Sequence, residues 1–107
     1  MAKDLESIQK EIQEFCDANN LKAPLEHRAL DLVSEVGEVS KEVLKMSNYG
    51  TKPIEVNTEI KSELGDVLFV VIVLANQLGI SLDEALKQVL EKYSKRLAKG
   101  SAGSENE

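Results

Sequence analysis

Cysteine, histidine, proline and aromatic side chains are all scarce in this 107-residue chain, and each scarcity closes off a class of protein. A single cysteine, Cys16, leaves no partner for an intrachain disulfide and no cysteine cluster for zinc. A single histidine, His27, rules out a His-rich metal site and gives a Ser-His-Asp triad little basis. Two prolines, no tryptophan and only Phe15, Tyr49, Phe69 and Tyr93 as aromatics argue against a turn-rich β sandwich. Positive charge is also short. Thirteen Lys and Arg face nineteen Asp and Glu, a net charge of -6, which suits neither phosphate neutralisation nor general nucleic-acid binding. The longest apolar run, residues 67–75, is far below the ~20 residues that span a bilayer. The charged opening MAKDLESIQKEI has no apolar signal core, so secretion is not expected. With 42% hydrophobic and 30% charged residues, what remains is one acidic, cytoplasmic, globular domain.

What is present is helical spacing almost throughout. Leu5, Ile8, Ile12 and Phe15 step by three and four, which predicts a first helix over residues 4–19. Pro24 opens a second over residues 25–46, with Leu25, Ala29, Leu32, Val36, Val39 and Val43 on its apolar side. The segment SNYGTKP reads as a loop. A third helix is expected from residue 54 or 55 to 78, and its VLFVVIVLANQL half, apolar nearly all round, should be the most buried element. Gly79 can end it in the left-handed conformation, and Ser81 with Glu84 forms a candidate capping box for a fourth helix reaching residue 99. The expected fold is therefore all-α, an antiparallel four-helix bundle over residues 1–99, followed by a disordered tail over residues 100–107. So apolar a third helix with only three partners implies that another subunit covers part of the surface, in a homodimer or homotetramer.

Two acidic stripes carry the chemistry. Asp31, Glu35, Glu38 and Glu42 lie on one face of the second helix, and Glu59, Glu63 and Asp66 on one face of the third. Like charges at these spacings cost a helix about 0.2–0.5 kcal/mol per pair, so either full solvation or a bound cation must offset the repulsion. A stripe of this kind is ordinarily a solvated face. Two stripes in matched register favour the cation. If the two helices are antiparallel about a loop near residues 50–51, Glu38 comes level with Glu63 and Glu35 with Asp66. Oxygen ligands without His or Cys select Mg²⁺, or Mn²⁺ in its place. The same register, continued through a turn at residues 79–80, brings Lys92, Lys95 and Arg96 of the fourth helix within reach of the cluster.

The pair Glu35-Val-Gly-Glu38 and Glu63-Leu-Gly-Asp66 resembles the hallmark of the MazG-like nucleoside triphosphate pyrophosphohydrolases, Glu-x-x-Glu followed by Glu-x-x-Asp on facing helices. The likeness extends through LANQLGISLDEAL and EKYSKR and covers roughly residues 5–97. It implies an all-α enzyme that cleaves a (deoxy)nucleoside triphosphate between the α and β phosphates with Mg²⁺, giving the monophosphate and pyrophosphate, as in clearing the nucleotide pool. It also implies that Glu35, Glu38, Glu63 and Asp66 are the metal-binding and catalytic residues. One of them, or Glu59, would hold the attacking water, and Lys92, Lys95 or Arg96 would neutralise the phosphates. Base recognition is open. Val70 stands four positions after the motif aspartate, where some relatives carry a polar or aromatic residue, and tryptophan is absent, leaving Tyr49, Phe15, Asn19 and Asn20 as candidates, with Phe15 expected chiefly as core.

The remaining conspicuous residues read as structural. Cys16 is expected as a small buried hydrophobe, Tyr93 as packing and His27 as exposed or capping, with neighbouring Arg28 a phosphate candidate. Gly37 and Gly65 are expected to permit close helix approach at the metal site. Three alternatives stand beside the main reading. A phosphoribosyl-ATP pyrophosphohydrolase shares the acidic layout but usually shows Tyr-His where this chain has Phe69-Val70. A di-iron carboxylate bundle needs two Glu-x-x-His pairs that are not here. A catalytically silent helical module that binds only metal or a partner satisfies the pattern as well.

Overall fold

The computed structural model describes residues 3–100. Among them the chain is all-α, without a strand: α1 (Leu5–Ala18), α2 (Leu25–Met46), α3 (Glu59–Leu78) and α4 (Leu82–Ala98). Residues 101–107 of the expected tail lie outside the described residues.

Local chemistry fixes most boundaries. Asp4 caps α1 by accepting from the Ser7 backbone N–H at 2.7 Å, and Ser81 does the same for α4 toward Glu84 at 3.3 Å. Gly79 ends α3 at φ 68, the left-handed conformation, and the next amide, Ile80, donates back to the Ala75 carbonyl at 2.9 Å. The start of α3 differs from expectation. It begins at Glu59, because Asn57 stops the chain first: its side-chain oxygen accepts from the Ile60 N–H at 3.1 Å, and its amide donates to Glu42 at 3.1 Å.

The helix pair α2–α3 is the body of the protomer, and α1 packs on α3 and α4. Val70, Ile72, Val73 and Ala75 of α3 make up most of the core, joined by Cys16 and Met46. The all-apolar half of α3 is thus the most buried element, and Cys16 behaves as the small hydrophobe expected of it.

The inward face of α2 is only half apolar. Arg28, Leu32, Glu35, Val39, Glu42 and Met46 are its buried and half-buried positions. Of the residues expected inside, Leu25, Ala29, Val36 and Val43 are exposed. Val33 is 70% exposed, and Leu68 on α3 is 55% exposed. No residue of α4 is buried, and Leu86, Leu90 and Leu97 project into solvent. An amphipathic helix turns its apolar stripe to whatever covers it; here Leu32 and Val39 of the expected stripe turn toward the protomer's own core and the rest of it faces away. Gly37 and Gly65 belong to this outer side. A Cβ built on either meets nothing within 4 Å, so α2–α3 proximity does not explain these glycines.

A buried side chain that periodicity gives no reason to notice holds α1 in place. Gln9 donates to Asn76 Oδ1 (3.0 Å) and to the Ile80 carbonyl (2.9 Å), and it accepts from the Leu82 N–H (2.8 Å). Asn76 returns a bond to the Gln9 carbonyl at 3.0 Å. Truncation to alanine keeps the backbone bond from Asn76 but strands the three part-buried partners of the Gln9 side chain, at about 1–3 kcal/mol for an unsatisfied group. Gln9→Ala is therefore expected to lower unfolding free energy by about 3 kcal/mol, checked by the urea midpoint at unchanged slope.

Candidate metal and active site

The α2–α3 pairing is antiparallel. The charges of Asp66 and Glu38 act on Glu35, those of Glu38 and Glu42 act on Glu63, and Lys45 senses Glu59, so positions advance along α2 as they retreat along α3. One carboxylate oxygen each from Glu35, Glu63 and Asp66 lies within 4.8 Å of the others. Glu35 and Glu63 are half-buried in the groove, and Asp66 stands at its edge. Glu38 is not one of the converging three. It sits one turn further along α2, near enough for its charge to bear on both glutamates.

Crowding leaves an electrostatic signature. Glu35 titrates above the ordinary carboxylate range, because of desolvation first and then the charges of Asp66, Glu38 and Asp31 and a hydrogen bond with Asp66. Glu63 is raised likewise, by desolvation and then by Asp66, Glu38, Glu35 and Glu42. The outer members of the stripes are otherwise engaged. Asp31 pairs with Arg28 at 3.7 Å, while Glu42 is held by Lys45 at 3.2 Å and by Asn57. Glu59 takes a bond from Thr58 at 3.3 Å and lies outside the converging three.

An all-oxygen donor set of clustered carboxylates, two of them holding protons above their usual range, fits a hard divalent cation, which supplies the missing positive charge. The linkage has a definite sign. Raised folded-state values mean that the native state binds more protons than the unfolded chain, so this contribution to stability falls as pH rises above about 4.5. In chelator, the melting temperature of Glu35→Gln is expected to exceed that of the wild type by a margin that widens from pH 4.5 toward neutrality. Added Mg²⁺ should reverse the order, as differential scanning fluorimetry across pH would show.

The basic residues of α4 are placed differently from their expected register. α3 and α4 meet at 104° across residues 79–81 and do not double back on each other. Lys92 and Arg96 flank the Tyr93 ring at 5.3 and 5.7 Å, and Lys95 pairs with Glu91 at 3.3 Å. The antiparallel register that would bring them level with Glu63 and Asp66 in one protomer is therefore absent. Tyr93 serves as a platform for these cations, not as core packing. Among the base-contact candidates, Phe15 packs its edge on Phe69 at 6.2 Å, Tyr49 is exposed at φ 59, and Asn19 bonds the Phe15 carbonyl. His27 is exposed and Val70 is buried.

Among the described residues, four helices without a strand, with facing carboxylates in the groove of the central pair, define an all-α acidic-site protein. Residues 24–100 match the MazG nucleotide pyrophosphohydrolase domain, and the chain belongs to that family. It is 38% identical over 99 residues to YpjD of Bacillus subtilis, covering 88% of this chain and 86% of that protein. The Gene 37 protein of Mycobacterium phage L5 is 33% identical over 78 residues, covering 71% of this chain and 68% of that one. The crystal structure of B. subtilis YpjD superposes with a TM-score of 0.73 at 34% identity, over 87% of this chain and 97% of that one. A Bacillus-conserved MazG protein, a nucleotide pyrophosphohydrolase, superposes with a TM-score of 0.73 at 33% identity, over 87% and 92%.

Proposed function

We propose that this protein is a Mg²⁺-dependent hydrolase that cleaves nucleoside triphosphates between the α and β phosphates, releasing the monophosphate and pyrophosphate. The convergence of Glu35, Glu63 and Asp66 within 4.8 Å carries the reading. Glu38 completes the metal-binding and catalytic set in this proposal, reaching the site from one turn along α2. These carboxylates would hold the cation, which would supply Lewis acidity and lower the pKa of a bound water. The chain's own residues supply the rest. Glu35 and Glu63 stand half-buried in the groove, and one carboxylate of the cluster, or Glu59, would accept the proton of the attacking water. Mn²⁺ substitutes, having the same preference for oxygen ligands.

The working unit is a homodimer or homotetramer. Support comes from the outward apolar faces of α2, α3 and α4 and from the open space beside Gly37 and Gly65, level with the carboxylates. In such an assembly, Lys92, Lys95 and Arg96 reach the phosphates from a neighbouring subunit, since α4 leaves its own α3 at 104°. The reaction belongs in the cytoplasm, where nucleotide pools reside, in clearing unwanted nucleotides. The test is pyrophosphate release from a panel of nucleoside triphosphates with Mg²⁺ and with chelator. Cleavage of phosphoribosyl-ATP alone would favour the histidine-pathway activity. Metal-dependent stabilisation without any cleavage would reduce the protein to a metal-binding module.

A further inference from the structure

A cavity of about 330 Å³ opens between α1, the α1–α2 connection, the start of α2 and the C-terminal half of α3, further along α2 and α3 from the carboxylates. This is at the lower end of the roughly 300–1,000 Å³ typical of small-molecule sites. Its position follows from helical repeat. Arg28, on its wall, precedes Glu35 by two turns on the same face of α2; Val73, also on its wall, follows Asp66 by two turns on α3. Two turns are about 10.5 Å, comparable with the reach from an α-phosphate across the sugar to its base. Cys16, Leu21 and Val73 give the cavity an apolar lining against which a flat ring can lie.

The polar groups are few and specific. The Asn76 amide is spent on both sides in its exchange with Gln9 and acts as a fixed wall. Gln77 donates its amide to the Ala23 carbonyl at 2.8 Å, which orients its own carbonyl oxygen as an acceptor. Arg28, its side chain only 14% exposed, donates through Nη2 to the Leu21 carbonyl at 3.2 Å and lies 3.7 Å from Asp31 through Nη1. Its Nε–H is enclosed with no hydrogen-bond partner. A buried donor without an acceptor is uncommon in folded proteins and invites one from a ligand.

We infer that this cavity receives the nucleobase of the substrate and selects bases that present a ring carbonyl beside a ring N–H: uracil, thymine, guanine and hypoxanthine. A turn of the Arg28 guanidinium about its Leu21 contact offers Nε–H to the base carbonyl, and Gln77 accepts from the adjacent ring N–H. Cytosine and adenine present an amino donor beside an unprotonated ring nitrogen, so both contacts meet the wrong partner. Arg28 and Gln77 are therefore specificity-determining residues. The inference rests on the nucleotide reading above, but it is tested separately from it.

The test pairs catalysis with metal-free binding. Pyrophosphate release is measured for UTP, ITP, CTP and ATP, and UMP and CMP are titrated calorimetrically into the protein in chelator. The expected result is at least a roughly tenfold preference for UTP and ITP in kcat/KM and for UMP in affinity, lost in Arg28→Lys, which keeps the charge but not Nε. Gln77→Leu, at an exposed position, gives the same loss should Arg28→Lys fold poorly. Equal affinity for UMP and CMP, or a preference that survives both substitutions, overturns the inference while leaving the hydrolase reading intact. If no triphosphate is cleaved, that reading falls, and the monophosphate titration still decides the role of the cavity.

Discussion

Glu63→Gln should abolish pyrophosphate release and, in the same sample under chelator, raise the melting temperature. The two effects share one cause. Glu63 feels the charges of Asp66, Glu38, Glu35 and Glu42 and is partly desolvated, so its ionised form is a burden on the metal-free fold. Glutamine keeps the shape and removes the charge. On the proposed function activity falls because Glu63 would be one of the charged residues that hold the cation, on the order of 1,000-fold in kcat/KM. A site held in a repulsive arrangement for the sake of its ligand typically gains stability when disarmed. Activity lost without stabilisation would mean that the carboxylates are comfortably solvated, and the case for a cation would weaken. Stabilisation without loss of activity would place the catalytic metal elsewhere.

The second large effect concerns assembly. Leu68→Glu and Val33→Glu each place a charge on a face that is solvent-exposed in the isolated protomer. For a monomer such changes stay within about 0.5 kcal/mol. In a homo-oligomer whose subunits meet through these faces, an unpaired charge becomes buried at a cost of several kcal/mol per site. Sedimentation velocity is expected to show a wild-type dimer or tetramer and a variant monomer, with pyrophosphate release lost alongside. A monomeric wild type, or variants that still assemble, would require another explanation for the exposed leucines and valines.

The sequence made the helices and the carboxylate pattern readable for separate reasons. Helical spacing, the αL glycine at Gly79 and the Ser81 cap are local signals, and α2 and α4 begin where those signals place them. The facing of Glu35 with Asp66 needed only the antiparallel geometry of two helices joined by a loop. What could not be read depends on events outside a single helix. The late start of α3 turns on one side chain, Asn57, whose competition with helical hydrogen bonds is invisible in apolar spacing. The rotation of α2, with Glu35 and Glu42 inward and Val33 and Val36 outward, runs against the pattern because a stripe reports only that it will be covered, not by what. The antiparallel assumption failed at α4, since a three-residue turn with one αL glycine does not dictate the angle of departure, and with it went the intramolecular reach of Lys92, Lys95 and Arg96. The Arg28 cavity lies between elements distant in sequence, where no linear motif marks it.

The Gln9 bonds also bear on the order in which the molecule forms. They join positions 67 to 73 residues apart, whereas α2 and α3 close across residues 47–58 alone. Loop-closure entropy grows with the length enclosed, so the α2–α3 hairpin can assemble first and α1 docks only once the far end of α3 and the start of α4 are in place. In the native protein, α1 then opens at lower free energy than the hairpin, and its amides should exchange with solvent while those of α3 remain protected.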